Sequence, residues 1–394
     1  MHSKHLSFDK SVIILFMVFL LSSISTNLTS PIWPLYINSL GASVTELGFV
    51  VALSNTMAAV IPIVSGPLSD KYGRKKMNVV GAFLAIFPPL FYTFAKSWHD
   101  LIPWVLIAGV ATGLYLPSRW TIIADYSTAK KRAMAYSWMN IAYLLGSTIA
   151  PFIGGLIADI TDIHVPFILC FALTCLCFVF SLLLRETSNI SSKKPILLQD
   201  RFKTQPFFII ALIFLALNLI QGVGIGIYGP ITPIFMEKQF MVDYTGIGIL
   251  YAIGFGISSM IVQIPGGKMA AKYSKKKILF VTTILSSPFF SLFALSRSFL
   301  EAIVLMFLSN FILNFSWPSF QALTMELTSS TRWGLMNGLI ATAFWLGMSM
   351  GSAISGMLWE TFGMFFPYYV SAVMVLLSTL PVLYLKETEN KTEL

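Results

Sequence analysis

The chain has 394 residues, of which 56% are hydrophobic and 11% charged, with a mean hydropathy of +0.78 and a formal net charge of +9. Soluble domains carry about 25% charged residues, so a water-soluble fold is excluded, and no stretch is long and polar enough for a separate soluble domain. The basic residues sit in short loops between apolar runs, where orientation in a membrane explains them better than nucleic acid, and no nucleic-acid partner is expected.

Apolar runs of about 20 residues, the length a bilayer-spanning helix needs, recur along the whole chain. In order they predict twelve spans, at approximately 11–38, 44–68, 77–95, 101–126, 133–158, 164–185, 206–236, 244–268, 277–296, 301–327, 334–359 and 364–385. The first contains the run Val12 to Leu21, which resembles a signal peptide. Ser22 to Tyr36 continues as helix with no small-x-small cleavage site, so the segment reads as a retained span. Cys170, Cys175 and Cys177 all fall in span six with no histidine nearby, and read as buried free thiols rather than metal ligands. The Asn-x-Ser/Thr matches at Asn27 and Asn314 lie inside spans, and those at Asn189 and Asn390 fall on the expected cytoplasmic side, so none is a glycosylation site.

The longest polar stretch, 186–205, divides the spans six and six. This predicts an N-terminal six-helix bundle over 1–185, a cytoplasmic linker over 186–205, and a C-terminal six-helix bundle over 206–394 with a short cytoplasmic tail. With the N-terminus inside, only Lys96, Lys238 and Arg297 fall on the outer side and only Arg119 lies within a span. The remaining Lys and Arg residues are all cytoplasmic, so both termini are expected inside a plasma or inner membrane. The acidic residues Glu46, Asp100, Asp159, Asp162, Asp243 and Glu360 populate the outer loops.

The two halves repeat each other. Gly66-Pro-Leu-Ser-Asp70-Lys-Tyr-Gly73-Arg74-Lys75-Lys76 returns as Gly267-Lys-Met-Ala-Ala271-Lys-Tyr-Ser274-Lys275-Lys276-Lys277. Pro31 and Pro34 at the end of span one match Pro230 and Pro233 in span seven, and Pro117-Ser118 in span four matches Pro318-Ser319 in span ten. Asp125 matches Glu326, and Arg132 matches Arg332. In the first loop Gly66 permits close helix approach, Gly73 permits a tight turn, and Asp70 supplies a negative charge among cations. Span five carries Gly146-Ser-Thr-Ile-Ala150-Pro151-Phe-Ile-Gly154-Gly155, a stripe of small residues along which another helix can slide, with Pro151 loosening the backbone ladder. Static packing is the alternative reading of that stripe. Span eleven echoes it with Gly347, Gly351, Ser352 and Gly356.

The loop Gly66-x-x-x-Asp70-Lys71-x-Gly73-Arg74-Lys75 resembles the signature between the second and third helices of the major facilitator superfamily, and span five resembles the antiporter motif of its twelve-helix drug/proton antiporters, with Ala150 replacing a glycine. The resemblance implies an all-α integral membrane fold with twelve transmembrane helices in two pseudo-symmetric six-helix bundles. It implies a conformational latch of Gly66, Asp70, Gly73, Arg74 and Lys75 with Asp125 and Arg132. It also implies a sliding-helix motif of Gly146, Ala150, Pro151, Gly154 and Gly155, and a central cavity lined by spans one, four, seven and ten. In the second copy Ala271 and Ser274 replace Asp70 and Gly73, so that loop is expected to keep its orienting charge without the latch chemistry. The family's usual span-four arginine is absent, Val105 standing where it would fall.

Arg119 is the one cation deep in a span, six residues before Asp125 and thus ~9 Å further along a regular helix. It is either a contact for a substrate anion, or a structural partner of Asp125, Glu326 or Asp70, or a side chain snorkelling to the cytoplasmic interface. No carboxylate falls at mid-membrane, so Asp125 and Glu326, near the cytoplasmic ends of spans four and ten, are the candidate proton carriers or, equally, gate partners of nearby cations. The expected substrate-binding set is Asn27, Arg119, Asn218, Gln221, Tyr228, Asn310, Asn314 and Trp317, since amides avoid lipid. Trp120, Tyr143 and Trp345 could pad the pocket. No metal-spaced histidine cluster, phosphate-cradling loop or activated nucleophile is present, so neither enzyme chemistry, a metal nor a cofactor is expected.

The sequence therefore reads as a secondary transporter working by alternating access, with a small-molecule substrate, lipid and protons as partners, and the resemblance implies a monomer. Proton-coupled efflux of amphiphilic or drug-like solutes is the leading expectation. Uptake or facilitated transport of a small organic anion contacted by Arg119, and a non-transporting receptor or scaffold, are the alternatives.

Overall fold

The structure, a computed structural model, describes residues 10–127, 132–186, 207–329 and 332–386. The side chain of Asp70 lies outside what is described, as do Lys130, Lys131, Asn189, Asn390 and the linker beyond Glu186.

Twelve spans follow one another. α1 runs Lys10–Leu28 and resumes as Trp33–Ser39, α2 is Val44–Tyr72, and α3 is Arg74–Leu84 resuming as Phe87–Tyr92. α4 is Ile102–Tyr126, α5 is Arg132–Ile160 and α6 is Val165–Leu182. In the second half α7 runs Phe207–Tyr228 and resumes as Thr232–Phe240, α8 is Tyr244–Lys272 and α9 is Lys275–Ala294. α10 joins Phe299–Phe315 to Trp317–Leu327, α11 is Trp333–Phe362, and α12 joins Phe366–Leu377 to Thr379–Leu383.

Among the described residues eleven helices are long and apolar enough to cross a membrane. α3 is the exception, because Pro88 and Pro89 offer no N–H to the carbonyls of Leu84 and Ala85 and the helix breaks there. The same chemistry breaks α1 and α7 at corresponding places, before Pro34 and Pro233. α8 carries one wide turn at Tyr251–Ile257, where the backbone bonds reach five residues instead of four.

Lipid tails are as apolar as leucine, so these helices associate through close packing rather than through burial alone. α1 lies against α5, and α7 against α11, within the halves. At Gly154 a side chain would overlap the Leu28 carbonyl, so α5 meets α1 backbone to backbone. Between the halves α2 packs on α11 and α5 on α8. The α2–α11 seam is stitched by Asn55 donating to the Ser352 hydroxyl at 3.3 Å, by the Thr56 and Ser349 hydroxyls at 2.6 Å, and by Ser349 donating to the Ala52 carbonyl at 3.0 Å.

The cores at the two ends of the bundle differ. At the end away from the chain termini, hereafter the far face, a single apolar cluster joins both halves, with Tyr36, Leu47 and Phe167 from the first and Phe235, Phe293 and Tyr368 from the second. At the terminal face the clusters are separate. One holds Leu15, Ile122, Met139 and Leu184, and the other Phe214, Phe320, Met336 and Leu385. Among the described residues the two halves share one core at the far face and keep separate cores at the terminal face.

Candidate functional site

The second half contains a cavity of about 140 Å³. It is lined by Asn218, Gln221 and Ile225 of α7, Leu279 of α9, Leu313, Asn314, Ser316, Trp317 and Phe320 of α10, and Phe344 of α11. Four of the expected binding residues therefore meet there: Asn218, Gln221, Asn314 and Trp317. The Asn218 and Asn314 amides are steadied by their own helices, donating to the carbonyls of Phe214 at 2.8 Å and Asn310 at 2.9 Å. Both keep their amide oxygens for a ligand. Among the described residues the Gln221 amide makes no hydrogen bond at all. Trp317 is 47% exposed and leans on Phe320 with ring centres 5.6 Å apart. None of the lining residues is charged.

The other expected binding residues lie elsewhere. Tyr228 is buried in the far-face cluster against Phe290. Asn310 is buried, donating to the Met306 carbonyl at 3.0 Å, and Asn27 bonds back to Ser23 of its own helix at 2.8 Å. The bond to the local helix does not set Asn27 and Asn310 apart, since Asn218 and Asn314 make the same one; position does, Tyr228 being enclosed by aromatic packing and Asn27 and Asn310 lying outside the cavity lining.

Arg119 also departs from the anion-contact expectation. It is 3% exposed and points between α3, α4 and α6 of the first half. Its Nε donates to Asn78 Oδ1 at 2.8 Å, its Nη2 lies 3.5 Å from the Cys177 sulfur, and its guanidinium sits 4.0 Å from the centre of the Tyr115 ring. Asp125 and Glu326 are not its partners either, because each holds a different cation. Arg74 pairs with Asp125 at 2.5 Å and Lys275 with Glu326 at 2.9 Å, so the two ion pairs sit at equivalent places in the two halves. The second loop thus keeps an ion pair at this position, Lys275 with Glu326, although Ala271 and Ser274 stand where the first loop has Asp70 and Gly73. Cys170 and Cys177 are buried free thiols, as expected, whereas Cys175 is a free thiol only partly buried.

The family model of the Major Facilitator Superfamily matches residues 15–223 and 214–394. The chain belongs to this superfamily. Like other members of the superfamily it is a multi-pass membrane transporter and not an enzyme. It is 29% identical over 295 residues, 70% of each chain, to the tetracycline resistance protein, class H, of Pasteurella multocida. It is 24% identical over 378 residues to multidrug resistance protein 1 of Bacillus subtilis, covering 95% of this chain and 94% of the relative. The quinolone resistance protein NorA of Staphylococcus aureus is 24% identical over 365 residues, covering 89% and 90%. All three relatives are named for drug resistance. Among solved structures, a D-xylose–proton symporter superposes with a TM-score of 0.78 at 16% identity over 95% of this chain and 97% of that one, which shows the shared fold.

The superfamily motifs can be placed on this frame. Gly73 takes φ +107°, a conformation that costs any other residue strain, and it turns the chain from α2 straight into α3. Gly66 does not mediate close approach: nothing lies within 4 Å of where its side chain would be. Lys75 is tied to the first half through its backbone N–H to Glu186 at 3.3 Å, and Arg132 reaches the Ala124 carbonyl at 3.4 Å. On α5, Gly146 and Gly154 face α1, whereas Gly155 faces Tyr244 of α8 in the other half. Ala150 is buried, and the Pro151 carbonyl abuts Gly248 of α8. Asn78, the partner of Arg119, escaped the sequence reading, since a single asparagine in an apolar span gives no sign of the helix face it occupies.

Proposed function

We propose that the chain exports amphiphilic, drug-like solutes in exchange for protons, by alternating access between two six-helix halves, 1–185 and 206–394, joined by 186–205. In this reading it works as a monomer in the plasma or inner membrane with both termini cytoplasmic, so the terminal face is the loading side. The observation that carries the proposal is the uncharged cavity of amides and aromatic rings in the second half, with the Gln221 amide left free. Such a lining suits a largely apolar solute with one or two polar groups. An anion would need a cation there, and Arg119 is engaged inside the first half. The relatives named for drug resistance support the same reading.

For the coupling proton, Asp125 is better seated than Glu326. Its side chain is 9% exposed against 42%, and its Oδ2 is buried without a hydrogen-bond partner. A proton there would loosen the ion pair with Arg74. The test is proton-driven flux of a fluorescent lipophilic cation in vesicles with an imposed pH gradient. Gln221→Leu should raise KM about tenfold, the weight of one hydrogen bond to a ligand. Asp125→Asn should abolish gradient-driven flux while leaving downhill movement. Absence of flux in the wild type with every solute class would favour the receptor or scaffold reading instead.

A further inference from the structure

At the far face two carboxylates reach from one half to the other. Asp159, in the last turn of α5, accepts hydrogen bonds from the backbone N–H of Tyr244 at 3.2 Å and of Thr245 at 2.6 Å, and from the Thr245 hydroxyl at 2.5 Å. Glu360, in the last turns of α11, accepts from the backbone N–H of Thr45 at 3.1 Å and from its hydroxyl at 2.6 Å. The two arrangements are related by the internal repeat. Each carboxylate stands four residues after a glycine, Gly155 or Gly356, whose side chain would overlap a carbonyl of the opposite half, at Tyr244 or Val44. Each donor threonine stands two residues after an N-cap, Asp243 or Ser43.

The opening turns of α8 and α2 explain what the carboxylates do. The first amides of a helix have no partner within it. Asp243 satisfies the Gly246 amide and Ser43 the Glu46 amide, each within its own half. The amides at Tyr244, Thr245 and Thr45 precede these and are satisfied only from across the seam, where a negative charge also meets the positive end of a helix. Other acids at this face serve their own half: Glu46 caps back onto Ser43, Asp100 onto Ser97, Glu301 onto Arg297 and Asp162 onto His164. Asp159 and Glu360 are exposed, so water can replace their contacts when the halves part.

We propose that Asp159 and Glu360 are the far-face gate of the transport cycle, two clasps that hold this face shut by capping a helix of the opposite half and let it open when they release. The inference rests on the alternating-access reading above. Loss of a cap is worth about fivefold in an equilibrium, so each clasp should shift the balance towards the far-face-open form by about that factor, and both together by about 25-fold.

The test is double electron–electron resonance between spin labels at Ser39 and Met241, exposed far-face positions in opposite halves, in a chain with its three cysteines replaced. Asp159→Ala and Glu360→Ala should each enlarge the long-distance population, and the double variant should enlarge it further. Asp162→Ala should leave it unchanged. Thr245→Val, which removes only the hydroxyl donor, should shift it in the same direction by less, and serves if the alanine variants fail to fold. Two populations unmoved by any clasp variant would overturn the gate alone. One invariant population in the wild type and every variant would remove the gate and alternating access together.

Discussion

Arg119 shows what a buried charge requires inside a membrane protein. Its guanidinium is held by an amide oxygen, a thiol and an aromatic face, with no carboxylate within ion-pair distance among the described side chains. Removing it strands Asn78, whose Nδ2 already lacks a partner. Arg119→Gln should therefore cost about 1–3 kcal/mol of stability, read as a lowered Tm, and leave the preference between anionic and cationic solutes unchanged. A selective loss of anion binding would instead return Arg119 to the substrate path. The sequence marked this residue as costly and therefore purposeful, but its partner sits on another helix 41 positions away. Composition cannot say which way a side chain points around a span. The same limit split the expected binding set, with Asn218, Gln221 and Asn314 on the cavity and Asn27 and Asn310 outside its lining.

Among the elements, α5 and α11 hold the architecture together, because each packs on a helix of its own half and on one of the other. α5 meets α1 through Gly146 and Gly154 and α8 through Gly155, while α11 meets α7 through Gly347 and Gly351 and α2 through Gly356. Gly154→Val should abolish stable folding, read as loss of a monodisperse species in detergent, since its side chain would occupy the Leu28 carbonyl. Gly66→Ala, with open space around it, should leave stability within about 0.5 kcal/mol of wild type, read as a nearly unchanged Tm. The spacing of small residues made α5 readable before any coordinates. The break in α3 was less so, because a proline pair at the head of a half-span reads as apolar in any hydropathy window.

For the whole molecule, twelve spans and their repeat were legible because bilayer thickness and internal duplication both leave long-range signals in a chain. Which face stands open was not, since the same sequence must serve both states. The joined far-face cluster and the divided terminal clusters show the state described here. A cysteine introduced at Asn314 in the cysteine-free chain should react with an impermeant thiol reagent added to the cytoplasmic side of inside-out vesicles, and several-fold more slowly in right-side-out ones. The reverse ranking would invert the proposed orientation.

The cavity belongs to one half only. Its volume of about 140 Å³ is close to the space a single benzene ring fills. A drug-like solute overfills that space, so only one ring or short apolar arm of it can be seated there, beside Gln221 and Trp317. The remainder must project towards the first half, so the part of a solute that the second half reads is a fragment rather than the whole molecule.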